Sequence, residues 1–292
     1  MLRARILTAL ALLAGLAGAL FFLPDPGWIA LCALAAAAGA WEWGGLAGWG
    51  RPARVAYAAA LGALCVAVSG ASSPGVINAA NVTLVRLGAA FWLIAAPFWL
   101  RYKWPLRGAL AALVGVLVLA PAALVFMWLR WQYGPWGLLM AVAPVWAADI
   151  AAYFAGRAFG RKKLAPSISP GKTWAGAAGA ALGVMVYGIV ISATVKPTPF
   201  AGPIVASEGI SLPGLVMIAV CGLFVTALAI EGDLFESLLK RRAGVKDSGA
   251  LLPGHGGILD RIDSLTAVLP VLPLLPFVQT WVYMLLIVAV RP

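Results

Sequence analysis

The chain reads as an all-α, polytopic integral membrane protein of about nine transmembrane helices, and three observations predict this. Of its 292 residues, 63% are hydrophobic and only 11% charged, where a soluble domain carries roughly 25% charged residues. Mean hydropathy is +0.97, and apolar runs recur at about the 20 residues needed to cross a hydrocarbon core of about 30 Å. The runs are apolar on all faces and rich in Ala, Leu and Gly, whereas a closed barrel needs segments of about 10 residues with alternating polarity.

The runs fall near 6–23, 27–48, 55–70, 84–100, 108–129, 135–155, 173–193, 211–230 and 264–290. The first follows a basic start containing Arg3 and Arg5, as in a signal peptide, but it is long and no clear A-x-A site follows, so it reads as a first membrane helix. Cys32, Cys65 and Cys221 sit far apart inside apolar runs without a CxxC, which suggests neither a disulfide framework nor a thiolate metal site. The Pro- and Gly-rich connection near 194–210 reads as an outer loop.

Charge sets the sidedness. With the N-terminus cytoplasmic, the inner side holds Arg3, Arg5, Arg51, Arg54, Arg101, Lys103, Arg107, Arg157, Arg161, Lys162, Lys163, Lys172, Lys240, Arg241, Arg242, Lys246 and Arg261. The outer side keeps Arg130, Lys196 and Arg291, and Arg86 lies within a span. Lys and Arg mark cytoplasmic loops, so the imbalance supports the orientation. It also accounts for the net charge of +11 as helix orientation and headgroup contact rather than nucleic-acid binding. The chain divides into N-terminal membrane helices over 1–130 and a C-terminal region over 131–292, with cytoplasmic loops expected at 156–172 and 231–263.

The acids locate the polar site. Six of the ten carboxylates, Glu231, Asp233, Glu236, Asp247, Asp260 and Asp263, lie between 231 and 263. Asp260 and Asp263 are spaced to share one helix face, and two close carboxylates invite a hard divalent cation with oxygen ligands. Mg2+ is the natural candidate, with Asp233 as a third ligand if the loop folds back. The alternative is that Asp260, Arg261 and Asp263 pair and cap the last helix. Between them and Asp247 lies Pro253-Gly254-His255-Gly256-Gly257, a glycine run able to aim amide N–H groups at an anion. One His without a nearby Cys does not make a zinc site.

Upstream, the Gly171-Lys172-Thr173 triplet fails the phosphate-loop pattern because Pro166 stands where glycine is required. Ser167, Ser169, Lys172 and Thr173 remain as phosphate-friendly groups on the same membrane face. Asp149 is an intramembrane acid, which marks a functional candidate, with pairing to Arg157 or Lys163 as the alternative. For Glu42, helix packing, pairing with Arg86 and a direct role all stay open.

From Ser237 to Ser264 the sequence SLLKRRAGVKDSGALLPGHGGILDRIDS resembles the signature of the phosphatidate cytidylyltransferases, the CDP-diacylglycerol synthases. Ser237, Lys240, Arg241, Lys246, Asp247, His255, Gly256, Gly257, Asp260, Arg261 and Asp263 fill its pattern. Asp149 through Arg157 and the run Ser169 to Trp174 look like the family's second region. Ala175 and Gly171 depart from it, standing where members often carry an acid and a second lysine, so no role is carried over for those two. The resemblance covers roughly the C-terminal half.

It implies an enzyme that joins CTP to phosphatidic acid, releases pyrophosphate, needs Mg2+ and allows a second cation. Its site would face the cytoplasm from the cytoplasmic membrane of a prokaryote, and a homodimer is implied. On this basis Asp233, Asp260 and Asp263 are expected as metal ligands, with Lys246 and Arg261 completing the catalytic set. Ser169, Lys172, Thr173, Lys240, Asp247, His255, Gly256, Gly257 and Asp149 are expected to contact substrate. Two rivals fit less well. A secondary transporter predicts paired broken halves that the sequence lacks, and a CDP-alcohol transferase carries a DGxxAR pattern that Asp260-Arg261-Ile262-Asp263 does not match.

Overall fold

The computed structural model describes residues 13–70, 79–194, 205–206, 209–252, 254 and 256–275. Its helices are α1 (Leu13–Phe22), α2 (Asp25–Leu46), α3 (Arg51–Gly70), α4 (Ala79–Tyr102), α5 (Gly108–Phe159), α6 (Trp174–Thr194), α7 (Leu212–Arg242) and α8 (Leu259–Val271). Two small antiparallel hairpins join them, β1 (Lys163–Ala165) with β2 (Ser169–Thr173) and β3 (Val205–Ala206) with β4 (Gly209–Ile210).

Among the described residues, six helices, α2 to α7, are long and apolar enough to cross a membrane. At 52 residues, α5 would extend about 78 Å, far beyond one crossing. It is two limbs joined at Gly134, whose φ of 69° and ψ of −179° require glycine, and Pro135 starts the second limb as a helix-initiating proline does. Contacts fix the direction of each limb. Trp43 Nε1 donates to the Ala111 carbonyl at the end of α2 that carries Glu42, whereas Arg130 donates to Leu20 and Leu23 carbonyls and pairs with Asp25 at 3.0 Å at the other end. The second limb returns, because Gly156 near its end lies against Thr173, and the hairpin that leads to Thr173 accepts from Lys103, just before the first limb. The runs expected at 108–129 and 135–155 are thus the two limbs of a hairpin. The runs at 6–23 and 264–290 extend partly outside the described residues: α1 accounts for the end of the first, and α8 with the 3-10 turn Leu272–Leu274 for the start of the last.

The expected loop at 231–263 is shorter than its charges suggest. Helix α7 continues through Glu231 and Asp233 to Arg242, and α8 begins at Leu259, leaving 243–258 as the loop. A helix can carry charges once it leaves the hydrocarbon, and Lys240, Arg241 and Arg242 in the last turn of α7 complement its dipole.

The core is built from close approach of small residues and one aromatic centre. A Cβ on Gly183 of α6 would lie 2.6 Å from Ala151 Cβ and 3.1 Å from the Ala147 carbonyl of α5, and Gly176 packs equally close to the Ala152 carbonyl. This small-residue seam is how membrane helices gain dispersion contact without a hydrophobic driving force. On the opposite side, Phe235 of α7 meets the rings of Trp43, Phe91, Trp92 and Trp99, where a π-turn at Phe91–Ala95 interrupts α4.

Three connections meet at one end of the bundle. Lys103 Nζ donates to Ser167 Oγ at 2.8 Å, Arg242 donates to the carbonyls of Lys103 and Trp104, and Arg241 Nε donates to the Ile168 carbonyl. The loops at 103–107, 160–173 and 243–258 therefore share the face expected from the charge pattern. Gly183→Val is expected to lower stability by about 1–3 kcal/mol through overpacking, read as a fall in the melting temperature of the detergent-solubilised protein. An unchanged melt would contradict the α5–α6 seam.

Candidate active site

A cavity of about 550 Å³ opens at this end between the second limb of α5, α6, α7 and α8. Asp149, Tyr153 and Arg157 reach it from α5, Lys172 and Thr173 from β2, Thr226 and Asp233 from α7, and Asp260, Asp263 and Ser264 from α8. The remaining wall is largely Ala and Gly, so the seam that packs α5 on α6 also leaves the space.

The helix geometry explains why these acids converge. Gly232 lets α7 lie directly on the backbone of α8 at Asp263, which puts neighbouring Asp233 into the same cavity. Asp260 and Asp263, one turn apart on α8, both face it as their spacing predicts. Lys172 Nζ meets Asp233 Oδ2 at 2.5 Å, and Ser237 Oγ donates to Asp233 Oδ1 at 3.2 Å. Thr173 Oγ1 accepts the Gly176 amide, capping α6 from the residue before it.

Asp260 is the most heavily partnered acid. Its Oδ1 accepts from Lys240 Nζ at 2.6 Å, while its Oδ2 accepts the amides of Ser248 and Gly257 and faces Ser248 Oγ, each at 2.9 Å. Burial pushes its carboxyl up, but the Lys240 ammonium and the two amides outweigh that and hold it at about 2. Lys240 in turn meets Glu236 Oε2 at 2.5 Å, so one partly buried ammonium joins two acids. Asp263 behaves oppositely. Burial, reinforced by the charge of Asp233, raises its carboxyl above the ordinary range, despite the Ser264 amide on Oδ1.

The structure thus gathers Asp149, Lys172, Thr173, Asp233, Asp260 and Asp263 around one space and places Lys240 directly behind Asp260. Ser169 begins β2 beside the cavity rather than in its wall. Lys246, Asp247 and Arg261 are exposed at the loop end, and Gly256 and Gly257 pack against Asp260 and Ser248 respectively. His255 lies outside the described residues. Among the described residues, Asp149 forms an ion pair with neither Arg157 nor Lys163, and Arg157 instead donates to Tyr153 Oη at 2.9 Å. Sequence reasoning missed Ser248 and Tyr153 as parts of this site and gave Glu236 no role of its own. Only Glu236 left a signal, its i, i+4 spacing to Lys240.

The donor set suits a hard cation. Asp233 and Asp263 are carboxylates close enough for one to raise the other, and Mg2+ commonly takes one or two carboxylates plus phosphate oxygens. The three expected ligands do not form a cluster: among the described residues no group of three or more His, Cys, Asp or Glu is placed to hold a metal ion. The physical reason is that Lys240 and the loop donors engage Asp260. The wall also contains a buried hydroxyl without a partner among the described residues, Thr226 Oγ1, which a polar ligand would satisfy.

A helical membrane bundle with a mixed acid and base cavity at its loop-bearing end defines a class of membrane-embedded protein with a charged pocket among apolar helices. Within that class, the chain belongs to the cytidylyltransferase family, whose model matches residues 3–278. It is 37% identical to a phosphatidate cytidylyltransferase of Pseudomonas aeruginosa, over 96% of this chain and 99% of that protein. A protein of the same name from Haemophilus influenzae is 34% identical over 92% and 96% of the two chains. One from Bacillus subtilis is 46% identical over 48% of this chain and 46% of its own.

Because the folded protein binds the Asp263 proton more tightly than the unfolded chain does, Asp263 contributes stability below the ordinary aspartate range. That contribution is lost as pH rises through the raised value. Without divalent cations, the melting temperature should therefore fall as pH goes from mildly acidic to mildly alkaline, and the Asp263→Asn protein should lose less. Equal slopes in the two proteins would mean that Asp263 carries no such shift.

Proposed function

We propose that this chain transfers the cytidylyl group of CTP to phosphatidic acid, forming CDP-diacylglycerol and pyrophosphate for phospholipid biosynthesis. The observation that carries the reading is the single cavity joining Asp149, Lys172, Asp233, Asp260 and Asp263 between membrane helices. It occurs in a chain 37% identical over nearly its whole length to a protein named for this reaction.

The chemistry supports the reading. The lipid phosphate is close to a dianion at neutral pH, given a second pKa of about 6, so its oxygen attacks the α-phosphorus without needing a strong base. The new bond joins that oxygen to the α-phosphorus, and the bond to the β-phosphate oxygen breaks, with pyrophosphate carrying the electron pair away. The obstacle is repulsion between two polyanions, so the protein's task is to supply positive charge in fixed positions. Lys172 stands in the cavity on Asp233, and Lys246 and Arg261 lie on the adjoining loop end for the phosphates. Asp149 and Thr226 offer polar contacts in the wall, while Ser169, Asp247, Gly256 and Gly257 belong to the adjoining hairpin and loop, and a substrate contact by His255 rests on the family resemblance.

Asp233 and Asp263, with Asp260 if Lys240 yields an oxygen, are the groups that would hold Mg2+. When bound, the ion would neutralise phosphate charge and stabilise the leaving pyrophosphate. A second cation and a homodimer rest on family resemblance alone. So does the partition into a helical 1–130 region and a catalytic 131–292 region. The charge distribution supports nine spans with the N-terminus and the cavity on the cytoplasmic side of a prokaryotic cell membrane.

The test is pyrophosphate release by detergent-purified protein given CTP, phosphatidic acid and Mg2+. Wild type should turn over and Asp260→Asn should lose at least roughly 10²-fold, the scale for removing a positioned electrostatic group. Turnover of a different nucleotide or lipid phosphate in place of these would overturn the assignment.

A further inference from the structure

Glu42 does not line the cavity, yet with 1% exposure it is the least exposed of the buried charged side chains among the described residues. It sits near the end of α2 and reaches the loop that precedes α8. Its Oε1 accepts the Ile258 amide at 3.0 Å and its Oε2 the Leu259 amide at 2.9 Å. These are orphan donors at the start of α8, and Ile258, the N-cap residue, supplies no side-chain cap of its own. The neighbouring Gly257 amide goes to Asp260 Oδ2, so two carboxylates account for three successive amides.

The same two acids meet again at Ser248. Its Oγ lies 3.1 Å from Glu42 Oε2 and 2.9 Å from Asp260 Oδ2, and because a hydroxyl has one proton it donates to one of them at a time. The loop is shaped to admit the acid. A Cβ on Gly249 would stand 2.5 Å from Glu42 Oε1, and one on Gly257 would collide with Glu42 Oε2 and Ser248 Oγ.

We propose that Glu42 is a positioning residue for the reaction: it caps α8 from another helix and seats Ser248, fixing the direction in which Asp260 meets the cavity. A local Ser, Thr or Asp at position 258 would satisfy the helix end equally well, but it would leave the loop free to shift against the bundle. A cap carried on α2 ties the loop to α2. Simple packing between α2 and α8 would not require a charge taken out of water, which is costly unless donors answer it.

The kinetic part of this inference rests on the cytidylyl-transfer reading; the structural part does not. The experiment compares wild type, Glu42→Gln and Ser248→Ala in CTP turnover and in amide hydrogen exchange. Glutamine keeps the shape but turns an NH2 group toward one of the two amides. The expected result is a roughly 10²-fold fall in kcat for Glu42→Gln with little change in KM for CTP, the scale set by a misplacement of about 1 Å. Exchange should accelerate over 248–260, while amides of α5 and α6 and the melting temperature stay put. Ser248→Ala, which keeps both amide contacts, should show the same pattern more weakly. It serves as the test if Glu42→Gln does not fold. Unchanged exchange at 258 and 259, or accelerated exchange throughout α2 and α5 with kcat preserved, would overturn the proposal. If wild type shows no CTP turnover, the reaction assignment fails, and the exchange data alone still decide whether Glu42 caps the loop.

Discussion

A carboxylate held at the edge of a hydrocarbon core must be answered by donors, and the arrangement around Asp260 follows from that constraint. Four donor groups from three residues converge on its two oxygens, and the residues belong to three different parts of the chain: Lys240 to the last turns of α7, Ser248 to the loop, and Gly257 to the entry of α8. Meeting the demand of one charge therefore draws the end of α7, the loop and the start of α8 together. The ammonium of Lys240 extends the network to Glu236, and Ser248 extends it to Glu42.

This network divides the acids by task. Asp260 is saturated and held ionised, so it organises the site. Asp263 is poorly answered, and burial, reinforced by the nearby charge of Asp233, raises its carboxyl above the ordinary range. Asp233 has one ammonium, that of Lys172. A polyanion with a divalent cation would relieve the strain between Asp233 and Asp263, whereas it would have to compete with Lys240 for Asp260. The cavity is spacious because the residues that pack α5 on α6 are small, so close helix approach and room for a substrate have the same origin in Gly and Ala.

The membrane fold was legible because hydrocarbon imposes length and composition on every span. Even the α5 hairpin showed as two separate runs, with Gly134-Pro135 between them. The convergence of Asp233, Asp260 and Asp263 on one cavity could also be anticipated, from helical spacing and charge clustering. The helical state of Glu231 to Arg242 was less legible, since charge density there suggests a loop although the helix simply emerges from the apolar layer. The partnership of Glu42 with Ile258 and Leu259 could not be read at all. It spans more than 200 positions and is made to backbone amides, which leave no mark on residue identity. Thr173 shows the converse: its side chain suggested a phosphate contact, and in the fold its hydroxyl also serves as a helix cap.

The central claim is that this cavity moves a cytidylyl group, not a terminal phosphate, onto a lipid phosphate. The most direct measurement uses CTP labelled separately at the α- and γ-phosphorus, with phosphatidic acid and Mg2+, followed by partition between organic and aqueous phases. α-Label should enter the lipid phase, and γ-label should stay in water as pyrophosphate. Transfer of γ-label to the lipid, or of neither label by a folded protein, would contradict it.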